Sequence, residues 1–251
     1  MSLPRRGWLQ GAGASLAALA LSGCNKIAED AKVVRVLDGA EVLSRNVQRL
    51  IGRGALAREF TRADITPNFK ANGSTDPPDA DYKAMVASGF ADWKLVVDGL
   101  VATPLALSLD AIRQLPRRTQ ITRHDCVEGW SAIGQWTGMP LGMLLKQAGL
   151  RSQARYIVFH CADLFNGTPY YESIDLIDAF HPQTILAWGM NGQTLSVGHG
   201  APLRLRVERQ LGYKQAKYVM RVEAVASLAG INGGKGGTWE DAIGYQWYAG
   251  I

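Results

Sequence analysis

Two stretches of this chain concentrate side chains able to do chemistry. The first is Arg123-His124-Asp125-Cys126-Val127-Glu128-Gly129-Trp130, a thiol set among charged and aromatic neighbours. The thiolate is the nucleophilic and metal-binding form of cysteine, and nearby cations or a metal favour it. The second is His199-Gly200-Ala201-Pro202-Leu203-Arg204, followed by Gly212-Tyr213-Lys214 and Lys217. Glycine and proline fix tight backbone there, while a histidine, an arginine and two lysines converge on one strand–loop–strand unit. Such a group suits a dianion, because a guanidinium matches phosphate oxygens and backbone N–H groups satisfy the rest. Each stretch also has a plainer reading. Cys126 and Cys161 would form a disulfide in an oxidising compartment, and the charges of the second stretch would line a solvated strand face. A third reading makes Cys126 a nucleophile with His124 or His160 as base, since His124 lies on the same side of an extended strand.

The motifs of several other chemistries are missing. The chain has no Walker phosphate loop, no GxGxxG after a strand and no Gly-x-Ser-x-Gly turn. CxxCH haem attachment and cysteine or histidine pairs at structural-zinc spacing are absent as well. The formal charge is +5, from 27 basic and 22 acidic residues. Without Arg5 and Arg6 the count is 25 against 22, or +3, and no dense basic run is present. That excludes nucleic acid as a partner and leaves room for a local anion pocket.

The elements that must hold these groups are mixed. With 47% hydrophobic and 20% charged residues, the 251-residue chain can bury a substantial core. A helix is expected from Asp38 as cap to Ile51, with Val42, Leu43, Val47, Leu50 and Ile51 on one face. Asn72-Gly73 and Pro77-Pro78 mark a loop, residues 93–100 a strand, and Ser108 the cap of a short helix ending before Pro116. Residues 120–130 read as a strand entering an irregular loop that contains Cys126. Pro140 opens a helix that Gly149 closes. Strands follow at 156–160, 184–188 and 195–197, the last two joined at Asn191-Gly192, with a short helix near 174–179 between them. Leu203, Leu205 and Val207 alternate with Arg204, Arg206 and Glu208, and residues 217–225 form another alternating strand. Short strands separated by turns place the chain in the α+β class, with mixed sheets and peripheral helices. The aromatic tail, residues 233–251, is expected to pack over something.

The first residues read as an address. Arg5-Arg6, the apolar stretch 11–21 and Leu21-Ser22-Gly23-Cys24 make a leader over residues 1–23, with Cys24 as a lipidation site. Pro4-Arg5-Arg6-Gly7-Trp8-Leu9-Gln10 resembles a twin-arginine signal. The mature chain then divides into a helical segment, 24–60, and a domain, 61–251.

Together the two chemical stretches are similar to a known family. Arg123-x-x-Cys126-x-x-Gly129-Trp130, followed by Trp136-Thr137-Gly138-Met139-Pro140-Leu141, resembles the molybdenum-ligand segment of sulfite oxidase-like enzymes. His199-Gly-Ala-Pro-Leu-Arg204 with Leu211-Gly-Tyr-Lys214-x-x-Lys217 resembles their pterin-binding segment. The triplet Cys126-Val127-Glu128 is similar to that of exported, sulfoxide-reducing members of the family. The resemblance covers about residues 60–251 and implies a molybdopterin-binding domain carrying Mo-molybdopterin. It implies Cys126 as the protein ligand of molybdenum, with Glu128 and Tyr248 near the metal. Asn72, Cys161, His199, Arg204, Gly212, Tyr213, Lys214 and Lys217 become pterin contacts, and Trp239 belongs to the same tail as Tyr248. Further implied are two-electron oxygen-atom transfer on a small oxyanion or sulfoxide, a separate haem- or cytochrome-type electron partner, and a periplasmic site on a membrane through lipidated Cys24. The competing function is a lipoprotein that binds an anion or ligand without catalysis, its cysteines joined as Cys126–Cys161.

Overall fold

Half-buried strands need a second layer over their apolar face, and this chain builds two sheets that cover one another. The computed structural model describes residues 30–251, so Arg5, Arg6 and Cys24 lie outside the described residues. Two compact units divide at Arg53 and Gly54. The described part of the first is one helix, α1 (Ala31–Gly52), capped by Asp30, whose carboxylate accepts from Lys32 N. It begins seven residues before the expected start at Asp38, because no helix breaker stands between Asp30 and Asp38. Its Val36, Leu37, Leu43, Leu50 and Ile51 are exposed. No helix among the described residues is long and apolar enough to cross a membrane.

The second unit runs Gly54–Ile251. After α2 (Ala80–Ala87) come β1 (Lys94–Gly99), β2 (Leu105–Ser108) and α3 (Leu109–Gln114), the last capped by Ser108. β3 (Arg118–Asp125) and β4 (Ser131–Pro140) form the hairpin whose turn carries Cys126, and α4 (Leu141–Ala148) ends at left-handed Gly149. Then follow β5 (Tyr156–Phe165), β6 (Thr168–Asp175), α5 (Leu176–Ala179), β7 (Ile185–Met190), β8 (Gln193–Thr194), β9 (Arg204–Arg206), β10 (Val219–Val225) and α6 (Thr238–Ile243). One sheet has the order β2-β1-β10-β5-β6, with β1 parallel to β10; the other is β3-β4-β7-β8, with β9 also paired to β7. The α+β class with mixed sheets is what the turn-separated strands predicted. The main core draws Leu95, Ile157, Phe159 and Val222 from the first sheet, Leu186 and Leu205 from the second, and Leu141, Leu144 and Leu145 from α4. Each of those three α4 leucines is fully buried and contributes roughly 1.5–3 kcal/mol.

Three local expectations change. The Asn191-Gly192 hairpin returns as β8 at Gln193–Thr194, because Leu195 turns into the second core and Val197–His199 winds into a 3-10 turn. The strand expected from Lys217 begins at Val219, which leaves Lys217 on the preceding loop. The charged side of β9 is not solvated. Arg204, Arg206 and Glu208 are all buried, since both faces of this short strand are covered.

β4 and β7 approach closely where their register shifts at Thr137/Gly138. A Cβ at position 138 would lie 2.6 Å from Ala187 Cα and 2.7 Å from Leu186 C, both backbone atoms that cannot swing aside. Gly138→Ala is therefore expected to destabilise the protein by roughly 1–3 kcal/mol, the usual cost of overpacking. Denaturant unfolding with an unchanged slope and a lower midpoint would show it.

Candidate active site

The β3–β4 hairpin presents Cys126 on a tight turn. Cys126 N donates to Trp130 O at 2.9 Å, and Gly129 N donates to Cys126 O at 3.0 Å. Gly129 sits at φ 87°, a left-handed conformation that a glycine adopts without strain. A second loop brings Asn72 to the same place. Lys217 Nζ holds that loop by donating to Asn72 O at 2.9 Å, to Ser74 O, and to Gly198 O at 3.1 Å. Tyr218 Oη donates to Ser74 O at 2.9 Å. The result is Asn72 Nδ2 at 3.6 Å from Cys126 Sγ, an amide donor aimed at the sulfur.

Beneath the thiol lies a buried cationic floor. Arg206 donates to both oxygens of Glu208, at 2.9 and 2.6 Å, and its Nη1 stands 3.0 Å from His124 Nδ1. A guanidinium only donates, so His124 accepts at Nδ1 and carries its proton on Nε2. Burial, reinforced by Arg204 and Arg206, holds this imidazole well below its usual range and therefore neutral. The Trp136 ring receives both guanidinium groups, with Arg206 Cζ at 4.2 Å and Arg204 Cζ at 5.2 Å from its centroid. Gly212 closes over His124: a Cβ there would come within 2.5 Å of Cε1 and Nε2.

This floor has more cation than its surroundings satisfy. Arg204 Nη1 donates to His199 O at 3.3 Å, but its Nε is buried without a partner. Burial and Arg206 bring Arg204 down to about 9, and burial with Arg204 brings Lys217 down to about 7. Asp163 nearby is buried, its Oδ1 is unpartnered, and burial lifts its carboxyl to about 6. An unmet buried donor is costly, so the donor set fits an incoming anion, while the Asp163 oxygen fits a donor on the same ligand.

The pocket above this floor has a volume of about 370 Å³, the size of a small-ligand or cofactor site. At its mouth Glu128 accepts from Trp130 Nε1 at 2.9 Å and lies 3.5 Å from Lys70 Nζ, which stands over the Trp130 ring. The Trp130 hydrogen bond, with smaller help from Asn72 and Lys70, keeps the Glu128 carboxyl below the usual range. The opposite wall is aromatic: Phe165 packs on Trp239 at 4.6 Å, Trp239 stacks on Tyr245 at 5.8 Å, and Tyr245 meets Tyr213 at 5.0 Å.

Of the residues picked from sequence, Asn72, Cys126, Glu128, Arg204, Gly212, Tyr213 and Lys217 line this pocket, as does Trp239. Cys161, His199, Lys214 and Tyr248 are not part of its lining. His199 lies behind the wall, with Nε2 donating to Phe69 O at 3.2 Å and Nδ1 accepting from Ser196 Oγ at 3.0 Å. Lys214 is fully buried between Glu172 and Glu240. Tyr248 is buried beside the end of the chain, and Tyr245 stands at the pocket in its place. Cys161 faces the main core, where burial, with Asp163 and Glu172, keeps the thiol protonated. Both cysteines are free, so the Cys126–Cys161 bridge is not formed. His160 is bound to Glu223 at 2.8 Å and to Arg221, and it does not line the pocket. Asp163 and Lys70 had gone unnoticed, and Tyr245 was marked only as one aromatic of the tail expected to pack over something. Asp163 could have been found by its place two residues after Cys161 on an alternating strand, whereas Lys70 leaves no such mark.

A sequence profile of the oxidoreductase molybdopterin binding domain matches residues 82–229, more than half of the chain. The chain belongs to this family. It is 38% identical over 231 residues to the putative protein-methionine-sulfoxide reductase subunit YedZ1 of Azospira oryzae, covering 92% of this chain and 81% of that one. It is 36% identical over 188 residues to the protein-methionine-sulfoxide reductase catalytic subunit MsrP of Xanthomonas campestris pv. campestris. That match takes in 68% of this chain but only 57% of the relative's length. The sulfane dehydrogenase SoxCD of Paracoccus pantotrophus shares the fold, with a TM-score of 0.52 and 22% identity over 70% of this chain and 46% of that chain. The resemblance to sulfite oxidase-like molybdopterin enzymes therefore holds at the level of the family, and the protein is an oxidoreductase of that family.

Lys217 generates a pH dependence with a defined sign. Its folded value near 7 means that its charge is lost as pH rises through that point, so anion binding is strong below pH 7 and weakens above it. Sulfate, whose own charge is constant over this range, is expected to protect the cofactor-free protein against thermal unfolding more at pH 6 than at pH 8. The Lys217→Met variant should lose part of that difference and keep the part that comes from Asp163, whose carboxyl ionises from about 6 upward.

Proposed function

We propose that this protein is an exported molybdenum–pterin oxidoreductase that reduces a sulfoxide-type substrate. The observation that carries the reading is one arrangement: the Cys126 thiol, contacted by Asn72 Nδ2 at 3.6 Å, stands above a buried Arg204 whose Nε has no partner. Cys126 would hold the molybdenum. Arg204, Lys217 and the backbone of the Gly212–Lys214 turn would hold the pterin's phosphate, and Asp163 would accept from its ring donors. Bound there, the group supplies two-electron oxygen-atom chemistry; the protein sets its orientation, access and surroundings.

Substrate class follows from charge at the mouth. The lining cations Arg204 and Lys217 lie deep and are used by the phosphate and by backbone carbonyls. Lys70, at the opening, is offset by Glu128. An oxyanion would meet an ionised carboxylate and aromatic walls, which attract it poorly. A sulfoxide is neutral and polar at one end only, and it suits an opening lined by Val127, Leu164, Trp130 and Trp239. Reduction of a sulfoxide to thioether and water consumes two electrons and two protons. Glu128, held ionised, acts as an acceptor that orients rather than as the proton donor. The names of the relatives from Azospira and Xanthomonas, both protein-methionine-sulfoxide reductase subunits, support the same class.

The electrons come from a separate haem- or cytochrome-type protein in this reading. Residues 1–23 serve as a twin-arginine and lipoprotein leader, Cys24 as the lipidated residue, 24–60 as a helical segment and 61–251 as the molybdopterin domain. The protein then works in the periplasm, held to a membrane by lipid.

Made in a host that supplies the cofactor, the protein should carry about one molybdenum per chain and reduce methyl sulfoxides with an artificial electron donor. Cys126→Ser should keep its fold and lose far more activity than the ~10–100-fold typical of changes behind a metal ligand. Normal turnover by that variant would sink the assignment of Cys126. Faster oxidation of sulfite than reduction of sulfoxide would sink the substrate class.

A further inference from the structure

The tail that supplies Trp239 and Tyr245 is fastened by a charge cluster lying wholly inside the protein. Lys214 Nζ donates to Glu172 Oε1 on β6 and, at 2.6 Å, to Glu240 Oε1 on α6. The three side chains have 0%, 0% and 1% of their surface exposed. Burying an ammonium is costly unless it is paired and hydrogen-bonded, and here it is paired twice. Around the cluster the tail is laid down by short-range fits. Gly237 bridges Glu172 in β fashion, and a Cβ at 237 would strike the Glu172 and Glu240 carboxylates. Trp247 covers the Lys214 ammonium at 5.4 Å and donates from Nε1 to Ser173 Oγ at 2.9 Å. Tyr213 Oη donates to Gln246 O at 2.6 Å.

The neighbours of these residues make the cluster relevant to the pocket. Lys214 is flanked by Tyr213 and Gln215, which line the pocket, and Glu240 follows Trp239, which does too. We propose that Lys214 is a positioning residue: its ammonium ties the Gly212–Gln215 turn to α6 and so sets the Trp239–Tyr245 wall against the substrate's non-reacting part. The Lys214 side chain thereby acts on substrate fit and not as a contact of the pterin. The role given to the wall rests on the sulfoxide-reductase reading above; the tie itself does not. Two carboxylates facing one cation would leave an uncompensated buried charge. Burial and Glu240 raise the Glu172 carboxyl well above its usual range, and a proton there leaves one charge of each sign. The second oxygens of both acids, Oε2, are buried without partners. Loss of Glu240 is then tolerable, because Glu172 ionises and remains paired with Lys214.

The test uses the cofactor-loaded protein with Glu240→Ala, Glu240→Gln and Lys214→Met. Hydrogen exchange of residues 236–247 reads the tie without any turnover. It is expected to quicken roughly tenfold or more in Glu240→Ala and Lys214→Met, and to stay near the parent rate in Glu240→Gln, which keeps an acceptor for the ammonium. Molybdenum per chain should be unchanged in Glu240→Ala. With dimethyl sulfoxide as substrate, KM should rise roughly tenfold while kcat stays within about twofold. Should Lys214→Met fail to accumulate, the two Glu240 variants decide alone. Unchanged protection of 236–247 in Glu240→Ala would overturn the proposal. So would a loss of molybdenum matched by lost activity at unchanged KM, the result expected of a cofactor contact. If the parent itself does not reduce sulfoxides, the substrate reading fails, and the exchange experiment still decides the tie.

Discussion

Two guanidinium groups packed on the face of one buried indole constrain this protein more than any other feature. Arg204 and Arg206 both lie against Trp136, yet only Arg206 has a carboxylate, Glu208, within reach of two of its nitrogens. Arranging like charges this way away from water is unfavourable, so the surroundings must compensate. Glu208 neutralises one of them, Gln120 Nε2 steadies Glu208 at 2.8 Å, and His124 stays neutral so that it can accept a hydrogen bond. What remains uncompensated is Arg204, and its buried, unpartnered Nε points to the place where an anion is needed. The same floor fixes the height of the Gly212 turn, because His124 permits no Cβ there. It also fixes Cys126, which follows His124 by two residues at the end of β3.

That constraint explains what could and could not be read from the chain. The thiol segment was legible because its spacing survives in a turn: Cys126, Gly129 and Trp130 close a five-residue loop by backbone hydrogen bonds. The cationic segment was legible as to kind but not as to place. Alternation of Leu203, Leu205 and Val207 with Arg204, Arg206 and Glu208 ordinarily marks a strand with one wet face. Here β9 is a buried strand of three residues, and the side taken for solvent is the pocket floor. Periodicity reports that two faces differ; it does not report what covers each. The sheet class was legible from turns and alternation. The parallel pairing of β1 with β10 was not, since it joins residues more than a hundred positions apart.

Lys214 shows the limit from the other direction. Its place in Gly212-Tyr213-Lys214-x-x-Lys217 makes it look equivalent to Lys217. The two lysines nevertheless diverge completely, because the chain turns between them. Lys217 reaches three backbone carbonyls that hold the Asn72 loop, whereas Lys214 points away into a pair of carboxylates from β6 and α6. Glu172 and Glu240 lie 42 and 26 residues from Lys214 in sequence, too far for local pattern to connect them. A motif conveys which residue types recur, and only the fold distributes them between binding and support.

Cys161 completes the argument about Cys126. In an oxidising compartment two thiols invite oxidation to a bridge, and residue types alone cannot choose between a bridge and a ligand. The fold chooses by placing them in different surroundings. Cys126 stands at a polar opening with an amide donor on its sulfur. Cys161 lies 8% exposed in the core, its Sγ 3.9 Å from Phe159 O, with Asp163 and Glu172 opposing ionisation. Thiol–disulfide exchange needs a thiolate and access to it, and Cys161 has neither. Cys126 therefore meets no ready partner among the described residues, and its sulfur is free. The apolar core that keeps Cys161 inert is thus part of what leaves Cys126 a free thiol at the pocket.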